Sequence, residues 1–186
     1  MTMGQAILTA NSKFRALYEE EYDAVYAFCA RRVGRVDAAD ATADVFAVAW
    51  RRIDDVPEDA GRRWLYGVAR NTVLNRWRTK RRQARLLDRV RSVRVPVSVG
   101  PDVEVDQSDE ARTVLAALRS LRPADQEMLV MAAWDELPSK EIAEIVGISV
   151  AAVDQRIHRA KQRLAKALEA PTRSAATGSL HAGGER

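Results

Sequence analysis

The sequence predicts an all-α protein, with two small helical domains joined by a flexible linker and the C-terminal one a helix-turn-helix. Three observations carry this. Apolar residues recur at three- and four-residue spacings along most of the 186 residues, and no convincing run alternates as a strand would. That period is lost between about Arg91 and Asp109. The stretch "SKEIAEIVGISVAAVDQRIHRAKQRL", residues 139–164, reads as two short helices separated by a glycine.

In chain order, Phe14, Leu17, Tyr18, Val25 and Cys29 form one apolar stripe of a first helix. A second helix opens near Asp37 and turns Val45, Val48, Ala49 and Ile53 towards a core. "DDVPEDAG", residues 54–61, has the Pro, Gly and acidic residues of a loop. A third helix, "WLYGVARNTVLNRWRTKRR" at 64–82, puts Leu65, Val68, Ala69 and Thr72 on one face and spreads arginines over the rest. "RVPVSVGPDVEVDQSDE" then alternates Val with polar residues, so a short strand is conceivable. Two prolines, a glycine and an acid cluster favour an extended tether.

Helical pattern resumes with Ala111, Val114, Leu115, Leu118 and Leu121 and stops at "RP", 122–123. Pro123 suits the first turn of the next helix, through Met128 to Trp134. "ELPSKE" makes a turn, with Ser139 placed to cap the following helix. The resulting division is 10–88, linker 89–110, 111–170, and a small, polar, disordered tail at 171–186. His181 falls in that tail without a companion for a metal.

A helix-turn-helix needs a small residue where its helices cross, a residue tolerant of left-handed backbone in the turn, and apolar residues locking the second helix. Ala143, Gly147 and Val153 stand at the fifth, ninth and fifteenth positions from Ser139. The second helix exposes Gln155, Arg156, His158, Arg159, Lys161 and Arg163, groups suited to bases and phosphates. A helical hairpin with a solvated basic face would show the same charges, but this combination favours DNA.

Composition agrees with a soluble globular chain: 47% apolar, 30% charged, formal net charge +4. The placement of charge is more telling. Residues 61–95 contain twelve Arg or Lys and one acid, Asp88, whereas 95–111 contain five acids and no base. Such segregation suggests a polyanion-binding surface. The single cysteine, Cys29, excludes an internal disulfide and a multi-cysteine zinc site, and its apolar setting reads as core. No apolar run is long enough to span a bilayer and no leader is evident, so a cytoplasmic protein without membrane insertion is expected. There is no paired histidine-acid set, phosphate-cradling glycine loop or metal set, so neither an enzyme nor a cofactor is expected.

Two nucleic-acid surfaces on one small chain resemble a known family. "DAADATADVFAVAWRRI" followed by "RRWLYGVARNTVLNRWRTKRR" is similar to region 2 of bacterial RNA polymerase sigma factors. "LAALRSLRPADQEMLVMAAWDELPSKEIAEIVGISVAAVDQRIHRAKQRL" resembles their region 4. The order, the short linker and the lack of a region 3 resemble the extracytoplasmic-function (group IV) class. The resemblance implies core RNA polymerase and promoter DNA as partners, commonly with an anti-sigma factor.

By that resemblance, Asp40, Asp44, Phe46 and Trp50 match polymerase-docking positions. Asp40 and Asp44 are one helical turn apart and present paired negative charge. Phe46 and Trp50 are open to a core reading as well. Ala43 stands where the family commonly has Gln. The −10 reader is implied at 54–62 and the helix from Trp64, with Asn71 as base contact and Asn75 one turn later. Arg62, Arg63, Arg70, Arg76, Arg78, Lys80, Arg81 and Arg82 would hold phosphates, and Trp64 and Trp77 would stack or pack. In the −35 reader, Gln155, His158 and Arg159 match base-facing positions, with Arg156, Lys161 and Arg163 on phosphate. Asp154 stands where relatives are often basic. An independent helix-turn-helix regulator is the alternative.

Overall fold

The computed structural model describes residues 3–88 and 108–169. The stretch read as tether or short strand and the C-terminal tail, including His181, lie outside the described residues apart from the start of the next helix. Every regular element described is helical. In order these are α1 (Met3–Val33), α2 (Arg35–Arg51), a 3-10 turn (Ile53–Asp55), α3 (Gly61–Asp88), α4 (Asp109–Ser120), α5 (Pro123–Ala133), α6 (Ser139–Val146) and α7 (Val150–Glu169).

The N-terminal unit packs α1, α2 and α3 on one another. Phe14, Tyr18, Tyr22 and Tyr26 recur every fourth residue, which stacks them along one face of α1. They meet α2 through Phe46 and Trp50, with ring centroids 4.7 Å apart for Tyr18–Phe46 and 5.1 Å for Phe14–Trp50. Behind the rings lie Val25, Phe28, Cys29, Val45, Ala49, Leu65 and Ala69, all withdrawn from water. Gly34 separates α1 from α2 at φ 83°, a backbone that an L side chain resists. The second helix therefore opens at Arg35, two residues before Asp37. The third is longer than its periodicity suggested, because Trp64 N–H already bonds the Ala60 carbonyl (3.0 Å). The loop is correspondingly short. Buried Ile53 and Val56 anchor its first part, and Lys13 donates to the Val56 carbonyl at 2.9 Å.

The C-terminal unit builds a small core from Leu118, Leu121, Leu129, Val130 and Ala160, with Leu164 against it. Its helix ends are satisfied locally. Ser108 Oγ accepts from Ala111 N–H and Ser149 Oγ from Ala152 N–H, each an N-cap worth about 1 kcal/mol. Gln126 Nε2 donates to the carbonyls of Arg119 and Leu121, closing the end of α4. Ser139 does not cap α6: Pro138 takes the N-cap place, in extended backbone, and its carbonyl accepts from Glu141 and Ile142. Ser139 is thereby drawn into the first helical turn.

The helix-turn-helix forms as its spacing required. Gly147 ends α6 at φ 76° and ψ 41°, Ala143 is buried at the crossing and Val153 is fully buried beneath α7. The two units also pack against each other. One continuous apolar cluster runs from Val25, Phe28 and Leu65 to Met128, Met131, Leu137 and Ile142.

Candidate nucleic-acid interface

On α3 the period of the helix places Gly67, Asn71 and Asn75 on one face at four-residue intervals. Asn71 and Asn75 are both exposed. Asn75 Oδ1 accepts from Arg78 Nη1 at 3.0 Å, so its amide nitrogen points elsewhere. Arg78, Lys80, Arg81 and Arg82 extend the exposed surface along the helix. Trp64 packs half-buried on the core, with the Arg52 guanidinium 5.8 Å over its ring, and Trp77 is also half-buried.

Most arginines assigned to phosphate are already held by carboxylates. Arg62 Nε lies 2.6 Å from Glu21 Oε2, and that hydrogen bond to an almost fully buried carboxylate pushes the guanidinium pKa up. Arg76 donates to Asp44, and Lys80 pairs with Asp37, so the acids of α2 face the bases of α3. Two further pairs cross between the units. Arg63 Nε sits 2.8 Å from Glu144 Oε2 of α6. Arg70 donates Nε and Nη2 to the two oxygens of Glu127 of α5, at 2.8 and 3.2 Å.

A residue that the sequence did not single out anchors this junction. Asp135 follows α5, and its side chain is fully buried. Arg31 bonds one of its oxygens and Arg32 the other, the latter at 2.6 Å. Arg32 also donates to the Phe28 carbonyl at 2.9 Å and lies 3.4 Å over the Phe28 ring. Burial pushes its pKa down and Asp135 opposes that, but a guanidinium remains charged throughout. Removing one partner of such a buried pair costs about 3–5 kcal/mol, because the survivor is left uncompensated.

On α7, Asp154, Gln155, Arg156, His158, Arg159 and Lys161 are exposed along the outer face. His158 Nε2 is 3.0 Å from Gln162 Nε2, which orients the imidazole along the helix. Arg163, which the resemblance assigns to phosphate, pairs in the free chain with Asp125, a mostly buried residue of α5. It braces α7 against α5.

On the outer face of α2, Asp40, Asp44 and Trp50 are exposed and Phe46 is buried. The two aromatics lie four residues apart on the same stripe, but Tyr18 and Tyr22 of α1 close over Phe46 and leave the edge of Trp50 in water. Phe46 supports this face from beneath.

The chain matches the family model for sigma-70 region 2 over residues 17–83 and that for sigma-70 region 4 over residues 111–164. It is 30% identical to the ECF RNA polymerase sigma factor SigW of Bacillus subtilis, spanning 78% of this chain and 83% of SigW. Identity to the RNA polymerase sigma factor CnrH of Cupriavidus metallidurans is 29%, over 74% of this chain and 76% of CnrH. The solved structure of CnrH in complex with the cytosolic domain of CnrY superposes with a TM-score of 0.59 at 26% identity, covering 86% of this chain and 89% of that one.

Proposed function

The chain belongs to the extracytoplasmic-function class of sigma-70 RNA polymerase sigma factors, and from that premise we propose how it divides the work of promoter recognition among its helices. As a sigma factor it binds core RNA polymerase and DNA and directs promoter recognition as a non-enzymatic initiation factor. In the proposed division, α3 of region 2 (10–88) reads the −10 element and α7 of region 4 (111–170) reads the −35 element, across the 89–110 linker.

The observation that carries this division is the pair of exposed polar helix faces. The α7 face, with Gln155, His158 and Arg159 between cations, has the dimensions and donors to read base edges in a major groove. The α3 face presents Asn71 and Asn75 beside a run of cations, suited to a base extruded from a melted duplex. Strand opening then draws on binding energy alone. Asp40, Asp44 and the Trp50 edge form the polymerase-docking face, with Phe46 as its support.

No helix among the described residues is long and apolar enough to cross a membrane, and transcription places the protein in the cytoplasm in this reading. An anti-sigma factor is a further proposed partner, supported by the CnrH complex with CnrY. Transcription in vitro with core polymerase on a randomised promoter library tests the division. Transcripts should require this chain and two separated sequence elements. Specific binding to intact duplex, with no transcripts when core is added, would make it an independent helix-turn-helix regulator.

A further inference from the structure

Region 4 covers one face of region 2 with acids. Glu127, Asp135 and Glu144 come from three successive segments: α5, the turn after it, and α6. Each carboxylate lies against guanidinium of region 2: Glu127 on Arg70, Asp135 on Arg31 and Arg32, and Glu144 on Arg63. We propose that Arg31, Arg32, Arg63 and Arg70 form one phosphate-binding face for promoter DNA, which the closed chain withholds by laying region 4 carboxylates where phosphates would sit. Arg31 and Arg32 are thereby additional DNA contacts, outside α3 altogether.

Three features carry this. All four cations are arginines, whose planar forks donate to carboxylate and phosphate oxygens in the same geometry. The Glu127–Arg70 pair shows that fork filled, with both nitrogens bonded to separate oxygens. The charges also do not cancel, since four guanidiniums face three carboxylates. An interface selected for cohesion alone would be served as well by apolar side chains, because desolvating ions offsets most of their attraction. An uncompensated cationic face makes sense if a polyanion replaces the acids when the units part.

The proposal shares Arg63 and Arg70 with the −10 reading, and Arg31 and Arg32 separate the two. The experiment uses the full chain with fluorescent labels on the two regions, titrated with a labelled non-promoter duplex over a range of salt. E127Q/D135N/E144Q should increase the distance between the labels, strengthen DNA binding about tenfold and steepen the dependence of log K on log salt. Adding R31Q/R32Q in that background should make the slope shallower by roughly 2, since each neutralised phosphate contributes about 0.9 on duplex.

Separation without a gain in affinity would overturn the covering role. A gain indifferent to R31Q/R32Q would overturn the new contacts, and a fall on R63Q/R70Q would then leave the −10 reading standing. If D135N loses helical signal in circular dichroism, E127Q/E144Q takes its place, its charges being partly exposed and less costly to remove. A smaller gain is expected there, reduced when R31Q/R32Q/D135N neutralises both sides of the buried pair together, and no gain would overturn the proposal.

Discussion

Arg76 reaches across from α3 to Asp44 of α2, its Nη2 2.5 Å and its Nε 3.1 Å from the same carboxylate oxygen. A proposed docking acid and a proposed DNA cation therefore occupy each other in the free chain. Asp44→Asn should act on the two activities with opposite signs. Competition for core against another sigma factor should show weaker binding, while free-chain affinity for DNA should rise up to about fivefold, the range for an exposed ion pair of 0.2–1 kcal/mol. Loss of both activities together would mark the pair as a fold contact.

Asn71 and Arg159 should report separately on the two promoter elements. Asn71→Ala should weaken opening and Arg159→Ala should weaken duplex recognition, each by roughly 1–3 kcal/mol at particular base positions. Promoter variants scored for transcription check this. A uniform loss across variants would reassign the residue to phosphate.

Arg163 should behave as a brace. If the Asp125 pair persists on DNA, Arg163→Gln should lower the melting temperature and leave the salt dependence of DNA binding unchanged. A shallower slope, by about 0.9, would restore the phosphate role.

Among the described residues of region 4, two occupy left-handed backbone, and their substitutions should diverge. Gly147, at φ 76°, should tolerate Ala poorly, at a cost of about 1–2 kcal/mol. Glu136 stands at φ 53° in the turn after α5, where Leu137 N–H bonds back to the Met131 carbonyl. This is a place glycine usually takes. Glu136→Gly should leave stability unchanged or raise it by up to about 1 kcal/mol, read as a rise of a few degrees in melting temperature.

Burial pushes the Cys29 thiol above its ordinary value of 9.0 and the Tyr66 phenol above 10.0. The unfolded chain therefore loses these protons at lower pH than the folded one. The contribution of these two groups to stability should be constant well below pH 9 and decline as pH rises through 9 and 10. Cys29→Ala should flatten part of that decline in chemical denaturation measured at successive pH values.

What was legible in the sequence was local. Gly147 in its turn, Ala143 at the crossing and Val153 beneath α7 follow from spacing, because each requirement is met within a few residues. The basic character of α3 was legible for the same reason. Its partners were not: Arg70 finds Glu127 across 57 residues of sequence, and no periodicity encodes that distance. Arg31 and Arg32 close α1, with nothing nearby in sequence to mark Asp135 as their counter-ion. Phe46 and Trp50 shared a stripe, and only the tyrosines of α1 decide which is covered. Ser139 lost the cap to Pro138 because the proline's own extended backbone already supplies the accepting carbonyl.

The apolar cluster running from Phe28 and Leu65 into Met131 and Ile142 makes the closed chain a single cooperative block. Neither unit can melt without exposing the other's apolar surface, so in calorimetry the closed chain should give one endotherm with matching calorimetric and van 't Hoff enthalpies. In the proposed open state, with polymerase or DNA holding the units apart, each would stand on its own smaller core. Release from the complex would then restore that shared core, which would give the free chain a thermodynamic reason to shut again.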